Sequence, residues 1–246
     1  MKLFLRTLFL FIGIIAIWQM VISIFNLPPY ILPTPLSVLF SLQNHFTLIL
    51  HETGITIAET CLGLLLGVLL GTLAALLMAS FKSIGFWILP ILVISQAIPT
   101  FAIAPLFVIW FGYGMTSKIA TAIIMIFFPV ASSFLDGLNR SHPGWLDLAK
   151  TMNAKKWRLF WYIRIPAALP SLASGVRVAT VAAPIGAVVG EWVGASQGLG
   201  FLMLNANARM QIDLMFAGLW VLIIFSLGLY FLVDKSLKRL IPWQIN

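Results

Sequence analysis

Residues 145–170, WLDLAKTMNAKKWRLFWYIRIPAALP, form the one long polar interruption in an otherwise apolar chain. They hold Lys150, Lys155, Lys156, Arg158 and Arg164, five of the fifteen lysines and arginines, so water or a polar partner must receive them. Trp145, Leu148, Ala149 and Met152 nevertheless recur at helical spacing, with Asp147, Lys150 and Thr151 on the other side. Pro143 suits the first turn of that helix, where a missing amide has no partner to lose. Asn153 falls where a helix ends in a left-handed residue, a place Asn takes when Gly does not. A second short helix is expected to carry Trp157, Phe160, Trp161 and Ile163 on its apolar face and to be closed by Pro166 and Pro170. The stretch reads as two short amphipathic helices with a bend between them, a knob on a membrane surface.

Composition says why the surface belongs to a membrane. Of 246 residues 61% are hydrophobic and only 9% charged, too little charge for a water-soluble domain. The net charge of +8 is read as basic residues held on the cytoplasmic side, not as a nucleic-acid footprint. A single cysteine, Cys61, excludes an internal disulfide framework and reads as a small buried hydrophobe.

Six spans are expected: about 8–25, 55–79, 86–109, 117–136, 172–193 and 214–233, each near the ~20 residues that cross a bilayer. The start, Met1-Lys2 with Arg6, resembles a signal peptide, but the apolar run is long and no small-residue cleavage site precedes Asn26. It is read as a retained span. Residues 1–50 then comprise that span and an external segment, extended where it is Pro-rich and helical after Pro35. Residues 51–240 form the main transmembrane domain, with 137–170 as a cytoplasmic loop. Both termini come out cytoplasmic, and most basic residues fall on that side; Lys118 and Arg209 are left outside.

Small residues recur within the spans. Gly63, Gly67, Gly71, Ala75 and Ala79 make one stripe and Ala182, Gly186, Gly190 and Gly194 another, which is how helices approach closely in lipid. The third span carries Pro90, Pro99 and Pro105 around Ser95, Gln96 and Thr100. Polar groups and freed carbonyls at that depth need protein or a water-filled cavity. Gln96, Pro99, Thr100 and Pro184 are therefore placed at a translocation path, with a simple kink as the other reading.

The knob resembles the cytoplasmic Glu-Ala-Ala loop of permease subunits of bacterial binding-protein-dependent ABC importers. Asp147, Leu148 and Ala149 stand for Glu-Ala-Ala, Asn153 for the family's Gly, and Ile163-Arg164-Ile165-Pro166 for its Ile-x-Leu-Pro ending. Ala104-Pro105-Leu106, Trp110-Phe111-Gly112-Tyr113-Gly114, Gly175-Val176-Arg177, Gly190-Glu191-Trp192 and Gly198-Leu199-Gly200 follow in order. They are similar to the branch handling nitrate, sulfonates, taurine and thiamine precursors. The resemblance implies an all-α permease in the bacterial inner membrane and a small polar solute, a sulfonate- or nitrate-like anion or a thiamine-precursor pyrimidine. It further implies a permease homodimer, an external solute-binding protein, and an ATP-binding subunit docked on the loop. No cofactor is expected on this chain: the Walker loop G-x-x-x-x-G-K-[ST] is absent from the sequence, so ATP is used by the partner and the chain is not itself an enzyme.

Two other classes fit less well. An ion-coupled secondary transporter needs ionisable or unwound positions near mid-membrane, whereas Glu59 and Glu191 are placed near outer span ends and Asp136 and Asp234 at inner ends. A membrane enzyme or metal site finds no support in the scattered His45, His51 and His142. His51 and Glu52 read as an interfacial polar pair.

Overall fold

A computed structural model describes residues 2–243; Met1 lies outside the described residues, as do the surroundings of the Lys2, Arg6 and Lys150 side chains. The described chain is helical, with no strand among its elements. The helices are α1 (Lys2–Phe25), α2 (Pro35–Asn44), α3 (Phe46–Ser80), α4 (Lys82–Ala97), α5 (Thr100–Phe111) and α6 (Met115–Asn139). They continue with α7 (Pro143–Thr151), α8 (Lys156–Leu159), α9 (Ile165–Gly194), α10 (Leu199–Ala208) and α11 (Ile212–Leu240). α3, α6, α11 and the joined run Lys156–Gly194 are each long and apolar enough to cross a bilayer.

α6 is the axis of the bundle, and glycine explains why. A Cβ on Gly63 would lie 2.6 Å from the Ala122 Cβ, and one on Gly67 would lie 2.7 Å from Ile126 Cγ2. On the other flank, a Cβ on Gly186 would lie 2.8 Å from the Ala122 Cα and one on Gly190 2.9 Å from the Lys118 Cα. Both stripes thus face α6, with α3 running parallel to it and α9 antiparallel. Backbone approach of this kind replaces the hydrophobic drive that lipid removes. Leu64, Ala122, Ile126, Val130, Ala179 and Ala183 fill the seam.

Three expectations need correction. The span expected at 86–109 is two helices meeting at 106°. Ile98, ahead of Pro99, is extended (ψ 122), as the steric demand of a following proline requires. α3 ends at the same end of the bundle as the knob and α6 starts at the other, so the α4–α5 pair still carries the chain across. Pro166 and Pro170 do not close the second knob helix. A π-helical turn, Phe160–Arg164, joins α8 to α9; Pro166 sits in the first turn of α9 and Pro170 inside it. The wider turn gives the Pro166 ring room against the preceding carbonyls. Cys61 is exposed rather than buried.

At the end opposite the knob, Val38 on α2, Ile49 on α3, Leu199, Leu202 and Ala206 on α10, and Leu214 and Ala217 on α11 form one apolar cluster. Trp18 of α1 stacks near Phe216 and Trp220, at 5.6 and 5.7 Å between ring centres. α1 is 24 residues long and apolar along Ile12–Phe25.

Candidate functional site

The knob forms as its residues dictate. α7 begins at Pro143; Asn153 then turns the chain with φ 55, and the Ala154 amide bonds back to the Ala149 carbonyl at 2.9 Å, a helix-ending geometry that satisfies an orphan carbonyl. The Arg164 guanidinium donates twice to the Leu138 carbonyl, at 3.0 and 2.8 Å, and lies over the Phe160 ring. Since Leu138 sits near the end of α6, this arginine ties the knob to the bundle axis.

Between α7 and the start of α9 lies a groove of about 570 Å³. Trp145, Leu148, Ala149 and Met152 supply one wall, and Ile163 and Pro166 belong to the other. Trp145, Leu148 and Met152 are exposed although apolar, so the knob presents an oily face outward. Of the residues singled out from sequence, Leu148, Ala149, Ile163 and Pro166 meet in this groove. Asp147 and Asn153 are exposed at its side. Ile165 instead packs inward on Phe134, Leu138 and Ala168.

Gln96, Pro99 and Thr100 all sit at the α4–α5 bend, Gln96 exposed and Thr100 half-buried. Pro184 is buried within α9, which continues past it.

What sequence reasoning missed is a buried polar cluster at the far end of the bundle. Lys118 Nζ donates to Glu59 Oε1 at 2.8 Å, with both side chains almost fully buried; Lys118 lies at the end opposite the knob, as a buried ion-pair partner rather than a water-exposed charge. Thr56 Oγ1 donates to Glu191 Oε1 at 2.6 Å. Three consecutive amides of the turn into α10 are then held: Gly198 N–H donates to Glu52 Oε2, Leu199 N–H to Thr56 Oγ1 at 2.8 Å, and Gly200 N–H to Glu191 Oε2. Carboxylates at a helix N-terminus satisfy amides that have no intrahelical partner and meet the positive end of the dipole. His51 contacts the other Glu52 oxygen at 3.4 Å; the expected pair is present, but Glu52 also clamps the turn. The signal was available: Glu52, Thr56 and Glu59 continue the Gly63, Gly67 and Gly71 stripe along α3. At the knob end Arg177 pairs with Asp234 at 2.7 Å and Lys238 with the same carboxylate at 2.8 Å. Among the described residues no group of three or more His, Cys, Asp or Glu side chains is placed to hold a metal ion.

The described chain is thus a polytopic helical bundle that projects a two-helix knob from one end. The family described as binding-protein-dependent transport system inner membrane component matches residues 67–245. A "Probable ABC transporter permease protein" of Haemophilus influenzae is 53% identical over 246 residues, the whole of both chains. The formylaminopyrimidine transport permease protein ThiX of Halalkalibacterium halodurans is 34% identical over 97% of this chain and 95% of its own. A chain of the MetNI methionine ABC transporter, solved in inward-facing conformations, shares the fold with a TM-score of 0.67 at 18% identity, over 80% of this chain and 97% of that one. The chain belongs to the binding-protein-dependent transport system inner membrane components: it is the permease subunit of an ABC importer. Membership sets aside the ion-coupled carrier, and it implies an ATP-binding subunit and a solute-binding protein as partners.

Proposed function

We propose that this permease is driven through its knob and imports a small heterocycle of the thiamine-precursor pyrimidine kind. The groove carries the first half of that reading. Exposed Trp145, Leu148 and Met152 beside Ile163 and Pro166 make an apolar face that a buried protein partner would satisfy. The ATP-binding subunit docks there, on the loop 137–170 of a transmembrane domain covering 51–240, preceded by 1–50 as a first span and external segment. Asp147 lies at the rim and Asn153 sets the angle between the helices, with Leu148, Ala149, Ile163, Ile165 and Pro166 forming or backing the contact. This chain uses no cofactor, since ATP is spent on the partner. The knob and both termini face the cytoplasm, the solute-binding protein meets the opposite end, and two copies of the chain enclose the path. Gln96, Pro99 and Thr100 at the α4–α5 bend, and Pro184 on α9, border that path.

The solute reading has separate support. The relative named for formylaminopyrimidine is 34% identical over nearly the whole chain and one named for riboflavin 32% over 95% of it. A relative named for aliphatic sulfonates is 28% identical, and the taurine relative's 33% covers only 63% of this chain. A pyrimidine is therefore favoured over a sulfonate- or nitrate-like anion. The docking test is co-purification of the ATP-binding subunit with Asp147→Lys, which places like charge or lost complementarity at the rim. Wild-type recovery of the subunit refutes the dock. The solute test is titration of the purified solute-binding protein with formylaminopyrimidine, taurine and nitrate; binding of taurine or nitrate alone refutes the heterocycle.

A further inference from the structure

The far-end cluster has no part in docking or in the path described above, yet it spends several buried polar groups on one turn. Three side chains from two helices take three successive amides, Glu52 and Thr56 from α3 and Glu191 from α9. The turn has no slack. Gly198 has φ 111, and a Cβ there would run into the Glu191 carboxyl; a Cβ on Gly200 would lie 2.7 Å from Glu191 Oε2. α10 cannot slide against α3 and α9 without breaking these buried hydrogen bonds, two of them to carboxyl groups. Its other side is sealed into the apolar cluster with Val38, Ile49 and Leu214.

Glu191 is also three residues from the end of a helical run, Lys156–Gly194, whose other end is the knob. That run has 39 residues, roughly 58 Å at 1.5 Å per residue. Arg164 fixes its knob end to α6, and the Gly186 and Gly190 contacts fix its far end to the same helix. With the knob taken as the ATPase dock, we infer that Glu52, Thr56 and Glu191 are positioning residues of transport: they clamp α10 to α3 and α9 together, with Thr56 bridging to Glu191, so that a nucleotide-driven displacement of the knob along α9 is delivered to the far-end cap. Linkage is reciprocal, so a partner binding at the cap biases the knob through the same clamp. Thr56 is the centre of the clamp, since its one hydroxyl accepts from Leu199 N–H and donates to Glu191.

Hydrogen exchange by mass spectrometry on the permease–ATPase complex, with and without Mg-ATP and vanadate, tests this without knowledge of the solute. Nucleotide trapping is expected to change exchange at least twofold both in peptides covering 145–165 and in those covering 196–204. Thr56→Ser keeps both responses. Thr56→Val, which matches the shape but lacks the hydroxyl, keeps the response at 145–165, cuts that at 196–204 by more than half, and raises resting exchange of the Leu199 amide about tenfold. Where Thr56→Val does not assemble, Glu52→Ala, which removes the Gly198 partner and the exposed His51 contact but leaves Thr56 and Glu191 in place, is expected to weaken the 196–204 response in the same direction. A wild-type response at 145–165 with none at 196–204 overturns the clamp as a link and leaves the dock standing. A Thr56→Val complex, or in its place Glu52→Ala, that responds like wild type at both segments does the same. No response at either segment overturns the dock and the clamp together.

Discussion

Lys118→Met puts the buried cluster to its most direct test. The Lys118–Glu59 pair is 2.8 Å long, with the side chains 7% and 1% exposed. At an effective dielectric of roughly 20, Coulomb attraction at that distance is about 6 kcal/mol. Desolvation of both ions offsets most of it, so the intact pair contributes little net stability. Removing one partner is another matter. Glu59 then stays buried beside Glu191 with no cation, and breaking a buried pair in this way costs about 3–5 kcal/mol. For a chain of this size that lowers the unfolding midpoint by on the order of 10 °C. The assay is thermal unfolding of the detergent-solubilised permease, followed by its retention as a monodisperse species. Lys118→Met combined with Glu59→Met removes both ions and is expected to recover most of the loss, because two apolar side chains of similar length suit the site. A midpoint for Lys118→Met within a degree of wild type refutes the reasoning. So does a double variant worse than the single.

Gly67→Val is expected to lose about 1–3 kcal/mol through overpacking, because its Cβ would meet Ile126 at 2.7 Å. Gly54→Ala, with nothing within 4 Å of the new Cβ, is expected to be neutral or to gain up to about 1 kcal/mol in helix propensity; the same melting assay reads both, and equal effects refute the seam. Asn153→Val forces a β-branched residue to φ 55 at a cost of roughly 1–2 kcal/mol. It is expected to reduce co-purification of the ATP-binding subunit, whereas Asn153→Gly retains it; identical recovery of the subunit from both variants counts against the bend. In a background with Cys61 replaced by Ala, a cysteine at exposed His142 is expected to resist a membrane-impermeant thiol reagent in intact cells while one at exposed Ser196 reacts. The opposite labelling pattern inverts the topology.

Local chemistry made much of the architecture readable, and the exceptions are instructive. Pro143 and Asn153 did what their φ preferences dictate because α7 is short and exposed, with little tertiary packing to override them. Pro90, Pro99, Pro105, Pro129, Pro166, Pro170 and Pro184 look alike in sequence. Only Pro99 coincides with a break between helices, while Pro90, Pro105, Pro129, Pro170 and Pro184 remain inside helices. A missing amide and a ring clash can be absorbed by local widening or by neighbouring helices, and which solution is adopted depends on packing that lies far away in sequence. The π-helical turn before Pro166 is such a solution, and no nearby residue announces it. Cys61 failed as a buried residue for a related reason. In lipid an apolar run is apolar all round, so hydropathy does not tell the packed face from the exposed one; on α3 the glycines do.

The glycines also point to the clamp. Glu52, Thr56, Glu59, Gly63, Gly67 and Gly71 follow one another at steps of three or four residues, so they share the face of α3 that meets the rest of the bundle. A polar residue on the small-residue face of a membrane helix must find its partner inside the protein, because the face leaves no route to water. Judging Glu59 and Glu191 by their depth alone treats each helix singly and leaves them as harmless charges near a membrane boundary. Judged by face, Glu59 is directed at α6, where Lys118 is the basic residue one turn before Ala122, the contact of Gly63. Glu191 follows Gly190, whose own contact is Lys118. The two seams thus converge on one lysine, and the carboxylates are brought together by the same close approach that the glycines permit. Close packing and the polar clamp are consequences of one pattern, and a substitution that pushes α3 or α9 off α6 disturbs both.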